Sequence, residues 1–343
     1  MPTDTPPSDT APSDTPPSDT VPSSIQTPRL TVIMCTRNRA EQLRRVLESA
    51  AAMQVPPGTA WEFLLVDNGS TDHTAEVVQS FDGRLPIRRI VEPTPGLSNA
   101  RNAGVAAARG DYILWTDDDV VIDPGWLAAY ADAFSAYPDA VVFGGVIEPV
   151  YEEEPPAWFR ENEDLLATIV AKRDLGPERR LMENVPGTIP YGANYALRAA
   201  EQKRHRYDPA LGVSPTHKRL GEETMVIDAI RKEGGAAVWV PAARVRHLIP
   251  AKRLTMDYVR VYSESAGETW AYLSETSGAD VMGPPVPRGG RRFLGAPVWT
   301  IRKMVQGQLK LWTRREPMRD HIRRQREVAR LRGAVRYWVT HRK

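Results

Sequence analysis

Three adjacent carboxylates, Asp117, Asp118 and Asp119, follow the apolar stretch at residues 112–115 after a single threonine. Like charges held side by side repel one another, and a divalent cation that prefers oxygen ligands, Mg2+ or Mn2+, relieves that repulsion. The alternative is an acidic turn in solvent that leads into a helix N-terminus near Asp123. The triplet favours a metal site and leaves the solvated turn open.

Two further strand ends and one helix start carry polar groups that suit a nucleotide. Asp67 can accept hydrogen bonds from a nucleobase, and the glycine and hydroxyl residues after it are typical of a tight turn and a helix cap. Thr36, Arg37 and Asn38 follow the first strand, and Arg101 lies near the start of a later helix. Arginine side chains and helix N-termini both favour phosphate oxygens. For Arg101 a surface salt bridge is the alternative.

The elements that position these residues alternate regularly along the chain. Apolar runs typical of buried strands alternate with stretches whose apolar residues recur at helical spacing, and strands are predicted at 30–35, 63–66, 87–91, 112–115 and 141–146. This order predicts an α/β fold with a Rossmann-like, mainly parallel sheet and helices on both faces. Ligands of such sheets bind beyond the carboxyl ends of the strands, where the polar groups fall.

Taken in order, seven segments resemble the family-2 glycosyltransferases, which are inverting enzymes with the GT-A fold. The resemblance runs from about residue 30 to residue 250, through CTRNR, VDNGSTD, GLSNARNAG, TDDD, YGANYALRAA with YDPALG, GEETMVIDAIRKEG and PAARVRH. CTRNR resembles the family's nucleotide-binding entry, VDNGSTD its base-binding turn and GLSNARNAG its phosphate-side helix. Each motif alone is weak, whereas seven in one order are specific.

The resemblance also assigns roles near the metal and the sugar. TDDD resembles the family's metal-binding motif, which implies Asp119 as a metal ligand and places Asp117 and Asp118 at the donor. PAARVRH resembles a strand that ends in a metal-ligating histidine, here His247. The segment that contains Asn194 is similar to the one that shapes the donor-sugar and acceptor pocket.

The resemblance places the general base on the helix within GEETMVIDAIRKEG. The family usually has Glu-Asp where this chain has Glu222-Glu223, so we expect the base to be Glu223, with Glu222 as the alternative. Adjacent residues of a helix point about 100° apart, so only one of the two faces the pocket.

The reaction implied by the resemblance is transfer of a hexosyl-type sugar from a nucleotide-diphosphate sugar to an acceptor hydroxyl, with inversion and with Mn2+ or Mg2+ as cofactor. Two alternatives stay open. A non-catalytic sugar-nucleotide-binding protein would need neither the base nor the metal. A sugar nucleotidyltransferase usually has a glycine-rich basic phosphate loop after the first strand, and CTRNR contains no glycine.

Composition restricts the class of protein further. The 343 residues are enough for a large α/β domain, and the single cysteine, Cys35, allows no intrachain disulfide. No stretch resembles a secretory signal or a membrane span, which predicts a cytoplasmic protein. The net charge of +2 is the sum of two regions of opposite charge. Residues 283–343 have 17 basic and 3 acidic side chains, or +14, and residues 1–282 carry −12.

Four regions follow from these patterns. Residues 1–28 repeat proline, serine, threonine and aspartate and are predicted to be disordered. Residues 29–277 are predicted to form the GT-A domain, and the glycine- and proline-rich residues 278–295 a linker. Residues 296–343 are predicted to form a basic amphipathic helical extension.

Two helical stripes in this extension combine apolar side chains with flanking arginines and lysines: Val298, Ile301, Val305, Leu309 and Trp312, then Ile322, Val328, Leu331, Val335 and Trp338. Basic amphipathic helices with tryptophan bind the interface of anionic membranes. The alternative is that both stripes pack on the catalytic domain. The excess positive charge favours a peripheral protein at the inner face of the cell membrane. No nucleic-acid-binding module is recognised, so nucleic acid is not an expected partner.

Overall fold

The computed structural model describes residues 29–185, 187–287, 289–313 and 315–342, so the predicted disordered repeat at 1–28 lies outside the described residues. The strands, in chain order, are β1 (Leu30–Thr36), β2 (Trp61–Asp67), β3 (Ile87–Val91), β4 (Tyr112–Asp117), β5 (Val120–Ile122), β6 (Val142–Tyr151), β7 (Arg180–Met182), β8 (Asn194–Arg198), β9 (Ala237–Ile249), β10 (Arg292–Phe293) and β11 (Ala296–Pro297).

The helices, in the same order, are α1 (Ala40–Ala51), α2 (Thr74–Gln79), α3 (Leu97–Ala107), α4 (Trp126–Ala136), α5 (Ala157–Arg160), α6 (Glu163–Leu166), α7 (Ala199–Arg204), α8 (Glu222–Lys232), α9 (Met256–Glu275), α10 (Val298–Thr313) and α11 (Met318–Thr340). None of the described helices has both the length and the apolar character that a membrane crossing requires.

A mixed sheet forms the centre of the fold, in the order β3-β2-β1-β4-β8-β6-β9-β5, with β7 paired to β9. Strands β3, β2, β1 and β4 run parallel, and β8 is antiparallel to β4 and to β6. The central strands are buried on both faces. Alternate residues of a strand point to opposite sides, so each of these strands contributes side chains to both layers of the core. On β1, Val32 and Met34 share one core cluster with the buried residues of α1, whereas Ile33, on the other face, shares a second cluster with those of α3 and α8. The predicted α/β class is confirmed.

The register of the parallel strands brings the predicted site residues to one edge of the sheet. Thr36 of β1 pairs with Asp67 of β2, and Cys35 of β1 pairs with Asp117 of β4. The carboxyl ends of three strands therefore lie side by side, as the strand order predicts.

The predicted C-terminal helices are present, and α11 follows the alternative in which its apolar stripe packs on the domain. Helix α11 packs along α9, and glycines allow their backbones to approach closely: a Cβ on Gly267 would overlap the carbonyl of Arg330, and one on Gly333 would overlap the carbonyl of Glu264. Within 278–295, Val286 is buried. The structure therefore joins α11 and part of the predicted linker to the domain, because their apolar residues complete a core with α9.

Candidate active site

A cavity of about 980 Å3 opens beyond the carboxyl ends of the strands. Its walls come from α3, β4, α8, β9, α9 and α11 and from the loops between them. Five of the predicted site residues line it: Arg101, Asp117, Glu222, Glu223 and His247. The structure thus brings together residues that are up to 146 positions apart, since Arg101 lies on α3 and His247 on β9.

Arg101 is a buried cation that connects two of these carboxylates. Its Nη2 lies 3.7 Å from Oδ1 of Asp117 and 3.8 Å from Oε1 of Glu222, and its Nη1 donates a hydrogen bond to the Tyr195 hydroxyl at 3.1 Å. The alternative of a surface salt bridge is wrong, because Arg101 is buried, and donor contact by Arg101 stays a prediction. A buried charge with these partners holds Asp117 and Glu222 in place.

The two neighbouring glutamates at the start of α8 have different environments. Glu222 is buried, and its Cδ lies 3.4 Å from where a Cβ would stand on Gly212. Burial raises the pKa of Glu222 to about 7, the Glu223 charge adds to that rise, and Arg101 opposes it. Glu223 is half-buried, and its Oε1 lies 3.5 Å from where a Cβ would stand on Gly192. Gly192 therefore leaves room beside the Glu223 carboxylate at the cavity wall.

Asp118 points into the protein beneath the loop between β1 and α1. The Thr36 hydroxyl donates to its Oδ2 at 2.7 Å, and Nη1 of Arg39 donates to its Oδ1 at 2.6 Å. Burial raises the pKa of Asp118 to about 6, although Arg39 opposes the rise. Both carboxylate oxygens of Asp118 are thus used to hold the loop between β1 and α1. Neither Asp118 nor Thr36 lines the cavity. Donor contact by Thr36 and Asp118 stays a prediction.

Asp119 and His247 face each other at the end of β9. His247 Nδ1 donates to the Val170 carbonyl at 2.9 Å, and its Nε2 lies 3.5 Å from Oδ1 of Asp119. The Arg253 guanidinium lies beside both, 3.1 Å from Oδ2 of Asp119 and 3.0 Å from Nε2 of His247. Burial raises the pKa of Asp119, but His247 and Arg253 outweigh it and lower the pKa to about 2.

This pair fits a divalent cation by the chemistry of its donor atoms. An ionised carboxylate and a histidine nitrogen, oriented by a carbonyl on its other nitrogen, are ordinary ligands of Mn2+. The position already attracts positive charge, since Arg253 bonds to both groups. Within the described ranges no three His, Cys, Asp or Glu side chains are grouped to hold a metal. Phosphate and water oxygens would therefore have to complete the coordination.

The predicted base-binding region lies along the neighbouring strand ends, outside the cavity wall. Asp67 is buried, and its oxygens accept hydrogen bonds from the Arg89 side chain and, at 2.8 Å, from the Ser70 amide. Asn38, at φ 52°, accepts a hydrogen bond from the Thr71 amide at 2.7 Å, so it ties two loops together. Arg37 is exposed. Nucleotide contact by these residues stays a prediction.

Asn194 has a different position from the one predicted. Its side chain is fully buried, donates to the carbonyls of Val146 and Ala243, and accepts from Trp126 and Tyr130. These four bonds use the whole capacity of the amide. Asn194 therefore joins β8 to β6, β9 and α4 instead of contacting a donor, because its place in the sheet interior directs it away from the cavity.

Several cavity residues were missed by sequence reasoning. Tyr262 of α9 and three arginines of α11, Arg323, Arg326 and Arg330, line the wall opposite the sheet. Arg253, beside Asp119 and His247, was missed as well. No sequence signal separates the three arginines of α11 from the other basic residues around them, whereas Arg253 follows His247 closely enough to have been considered.

Comparison with known proteins gives a family and a fold. The model of the family described as glycosyl transferase family 2 matches residues 31–201. A glucosyl-dolichyl phosphate glucuronosyltransferase of Haloferax volcanii is 26% identical over 236 residues, 67% of this chain and 72% of that protein. The succinoglycan biosynthesis protein ExoM of Rhizobium meliloti is 26% identical over 254 residues, 72% of this chain and 76% of that protein.

Among solved structures, a mannosyltransferase from Pyrobaculum calidifontis in complex with GDP-Man and Mn2+ is similar to this chain. The TM-score is 0.56 at 16% sequence identity, over 94% of this chain and 90% of that one. At this identity the likeness concerns the fold, and it agrees with the predicted GT-A class.

Proposed function

Because this chain belongs to glycosyl transferase family 2, we propose that it transfers a sugar from a nucleotide-diphosphate sugar to an acceptor hydroxyl, with inversion, in a single metal-assisted displacement. Support comes from one observation above all. The cavity beyond the strand ends contains Glu223 on one wall and, on the neighbouring walls, Asp117 and His247. A proton acceptor and a polar site for a charged leaving group thus share one space.

Glu223 is the general base in this proposal. An acceptor hydroxyl loses its proton as it attacks the anomeric carbon, and a carboxylate within hydrogen-bond reach takes that proton. Glu223 is half-buried at the cavity wall beside Gly192, whereas Glu222 is buried against the Gly212 loop and its pKa is raised to about 7 by burial. Glu222 and Arg101 act as positioning residues, since Arg101 links Glu222 to Asp117.

Asp119 and His247 hold Mn2+ or Mg2+ in this proposal. The bound cation would stabilise the charge that develops on the leaving diphosphate, as a Lewis acid does. The protein's part is to keep the Asp119 carboxylate ionised, with its pKa lowered to about 2, and to hold the His247 ring through the Val170 carbonyl so that Nε2 lies beside Asp119. Asp117, held by Arg101, lies on the donor side of the same cavity.

Variants of the two glutamates test the assignment of the base. Glu223→Gln preserves shape and hydrogen bonding but cannot accept a proton, so we expect turnover to fall by about 10²-fold or more, with donor binding nearly unchanged. Glu222→Gln is the matched control and should lose less. The assay is release of nucleoside diphosphate from a panel of UDP- and GDP-sugars with Mn2+. If Glu222→Gln shows the larger loss, the base is Glu222; donor binding without turnover would support the non-catalytic alternative.

The metal is tested by substitution and by chelation. We expect Asp119→Asn to abolish transfer and to weaken Mn2+-dependent donor binding, because an amide is a poorer cation ligand than a carboxylate. The control is Asp132→Asn, which removes an exposed carboxylate of α4 and should leave transfer unchanged. Activity that survives exhaustive chelation would contradict the metal-assisted mechanism.

We also propose that α10 binds an anionic membrane surface, at the inner face of the cell membrane. Four apolar residues form what we call the outer stripe of α10: Val298, Val305, Leu309 and Trp312. All four are exposed, and Arg302 lies among them on the same helix face. An exposed apolar stripe with basic neighbours is typical of interfacial helices. The sequence analysis placed Ile301 in the same stripe, but in the structure Ile301 packs against the core that includes α11 and is not part of the outer stripe.

A further inference from the structure

Three arginines of α11 line the cavity that contains the proposed base. Arg323, Arg326 and Arg330 are spaced three and four positions apart, so they lie on one face of the helix. Arg323 is exposed, while Arg326 and Arg330 are half-buried, and burial lowers the pKa of both. The desolvated charges of Arg326 and Arg330 therefore favour an anion in the cavity.

The partners of these arginines leave most of their charge uncompensated. Arg326 donates to the Leu165 carbonyl and to the Thr168 hydroxyl, and Arg330 donates to the Met282 carbonyl. No carboxylate in the described part of the chain lies within 4 Å of either guanidinium. Among the described residues, Arg323 is paired only with Asp320, at 3.5 Å on the same exposed helix turn.

Other arginines of α11 behave differently. Arg332 and Arg336 both lie within 3.3 Å of the buried Glu264 of α9, so each of the two has a carboxylate partner. Glu327, the one carboxylate that α11 contributes to the described cavity wall, is bound to Lys303 at 2.6 Å. The arginines on the packed side of α11 thus have carboxylate partners, whereas Arg326 and Arg330 on its cavity side have none among the described residues, and we call this cavity side the positive wall.

This positive wall adjoins the start of α8, where Glu223 lies. Met282, which accepts the Arg330 bond, has its sulphur 3.8 Å from where a Cβ would stand on Gly221, the residue before α8. Tyr262 donates to the Thr168 carbonyl at 3.0 Å, and Arg326 contacts the same residue. Burial raises the pKa of Tyr262, and the Glu223 charge adds to the rise while the Arg326 charge opposes it, so both charges act on this phenol.

We propose that Arg326 and Arg330, assisted by Arg323, bind a phosphate group on the acceptor, close to the hydroxyl that Glu223 deprotonates. The inference rests on the proposed transferase function and specifies its acceptor class. A guanidinium matches phosphate oxygens in charge and in fork geometry. In the proposed function the donor diphosphate binds at Asp119 and His247, whereas the positive wall adjoins the start of α8, where Glu223 lies. The phosphate belongs either to a lipid phosphate or to a soluble phosphate ester.

Titration calorimetry on the full chain tests this acceptor class with two probes and one neutral control. The probes are decyl phosphate below its micelle concentration and glycerol 3-phosphate, and the control is decyl glucoside. A third arm measures UDP and GDP binding with Mn2+. We expect both phosphates, or decyl phosphate alone, to bind the wild-type chain. Comparable binding of the two identifies a site for the phosphate itself, and binding of decyl phosphate alone identifies a lipid phosphate.

Variants decide whether the arginines are responsible. We expect Arg326→Gln to weaken binding of the phosphate probe by about 10-fold or more, because hydrogen bonds to charged groups contribute that much. Arg326→Lys should recover part of the loss, and Arg323→Gln, which removes an exposed side chain, should give a smaller loss in a chain that still folds. The matched control is Arg319→Gln, on the same helix but outside the cavity wall and paired with Asp164.

The donor arm separates two kinds of failure. If neither phosphate binds, or if Arg326→Gln and Arg323→Gln bind as the wild type does, the acceptor proposal is overturned. If Arg326→Gln weakens nucleotide binding as much as phosphate binding, the wall binds the donor, and the proposal is likewise overturned. Phosphate binding with no nucleotide binding would instead contradict the proposed transferase function.

Discussion

Helices α10 and α11 resemble each other in sequence and differ in environment. Both combine an apolar stripe with basic side chains, which are arginine and lysine in α10 and arginine in α11. On α11 the stripe is buried, and Ile322 is fully inaccessible. On α10 the outer stripe faces solvent, with Leu309 49% exposed and Trp312 75% exposed. The same kind of amphipathic pattern thus completes a core in one helix and leaves an apolar surface in the next.

The difference has a packing cause. Gly267 of α9 and Gly333 of α11 remove side chains at the crossing, so the two backbones come within reach of each other and the stripe of α11 is covered. Helix α10 has a comparable glycine, Gly307, but it faces Val328 of α11. The side of α10 that faces the protein therefore packs against α11. The outer stripe is a second apolar face of the same helix, and it is exposed to solvent. An apolar surface of this kind usually marks an interaction site.

The largest expected effect comes from breaking the packing of α11. Gly333→Ala would place a Cβ on the Glu264 carbonyl, so we expect the free energy of unfolding to fall by about 3 kcal/mol, at the upper end of overpacking costs. Urea unfolding measures the change. Gly289→Ala is the control, because a Cβ there meets nothing within 4 Å, and it should shift the value by less than about 1 kcal/mol. Unchanged stability of Gly333→Ala would remove the packing basis of the comparison.

The second effect concerns the outer stripe. Replacing Val305, Leu309 and Trp312 together by serine should weaken binding to phosphatidylglycerol vesicles by at least about 100-fold, since each buried apolar side chain contributes about 1.5–3 kcal/mol. The free energy of unfolding should change by less than about 1 kcal/mol, because these residues are exposed. Vesicle flotation at low salt measures binding.

The control for the stripe is Gln306→Ser, which changes an exposed polar residue of α10. A wild-type chain that does not float, or a triple variant that floats equally well, would contradict membrane binding by α10. A triple variant that loses several kcal/mol of stability would show that the outer stripe is packed like that of α11, and the comparison would fail.

Much of this arrangement was predictable from local patterns. The strand order and the carboxyl-end positions of Asp67 and Asp117 follow from alternation of apolar and polar runs, because parallel strands end at one edge. The orientation of the Asn194 side chain was not predictable from the sequence. Only the packed sheet shows that all four of its hydrogen bonds are made to other residues of the protein interior. The sequence also did not predict which of the two stripes, that of α10 or that of α11, is buried. Amphipathic periodicity identifies the apolar face of a helix but does not tell what packs against it.

The smallest expected effect concerns the charge beside the outer stripe. Arg302 lies between Val298 and Val305 on the solvent side of α10, so at an anionic surface its guanidinium would reach the headgroups. One basic side chain near such a surface contributes about 1 kcal/mol, and Arg302→Gln should weaken vesicle binding by about 5-fold at low salt. Because salt screens this attraction, the difference from wild type should shrink as ionic strength rises. Arg44→Gln removes the same charge from the exposed side of α1 and should leave binding unchanged. Equal losses in both variants would mean that net charge, and not the face of α10, brings the protein to the membrane.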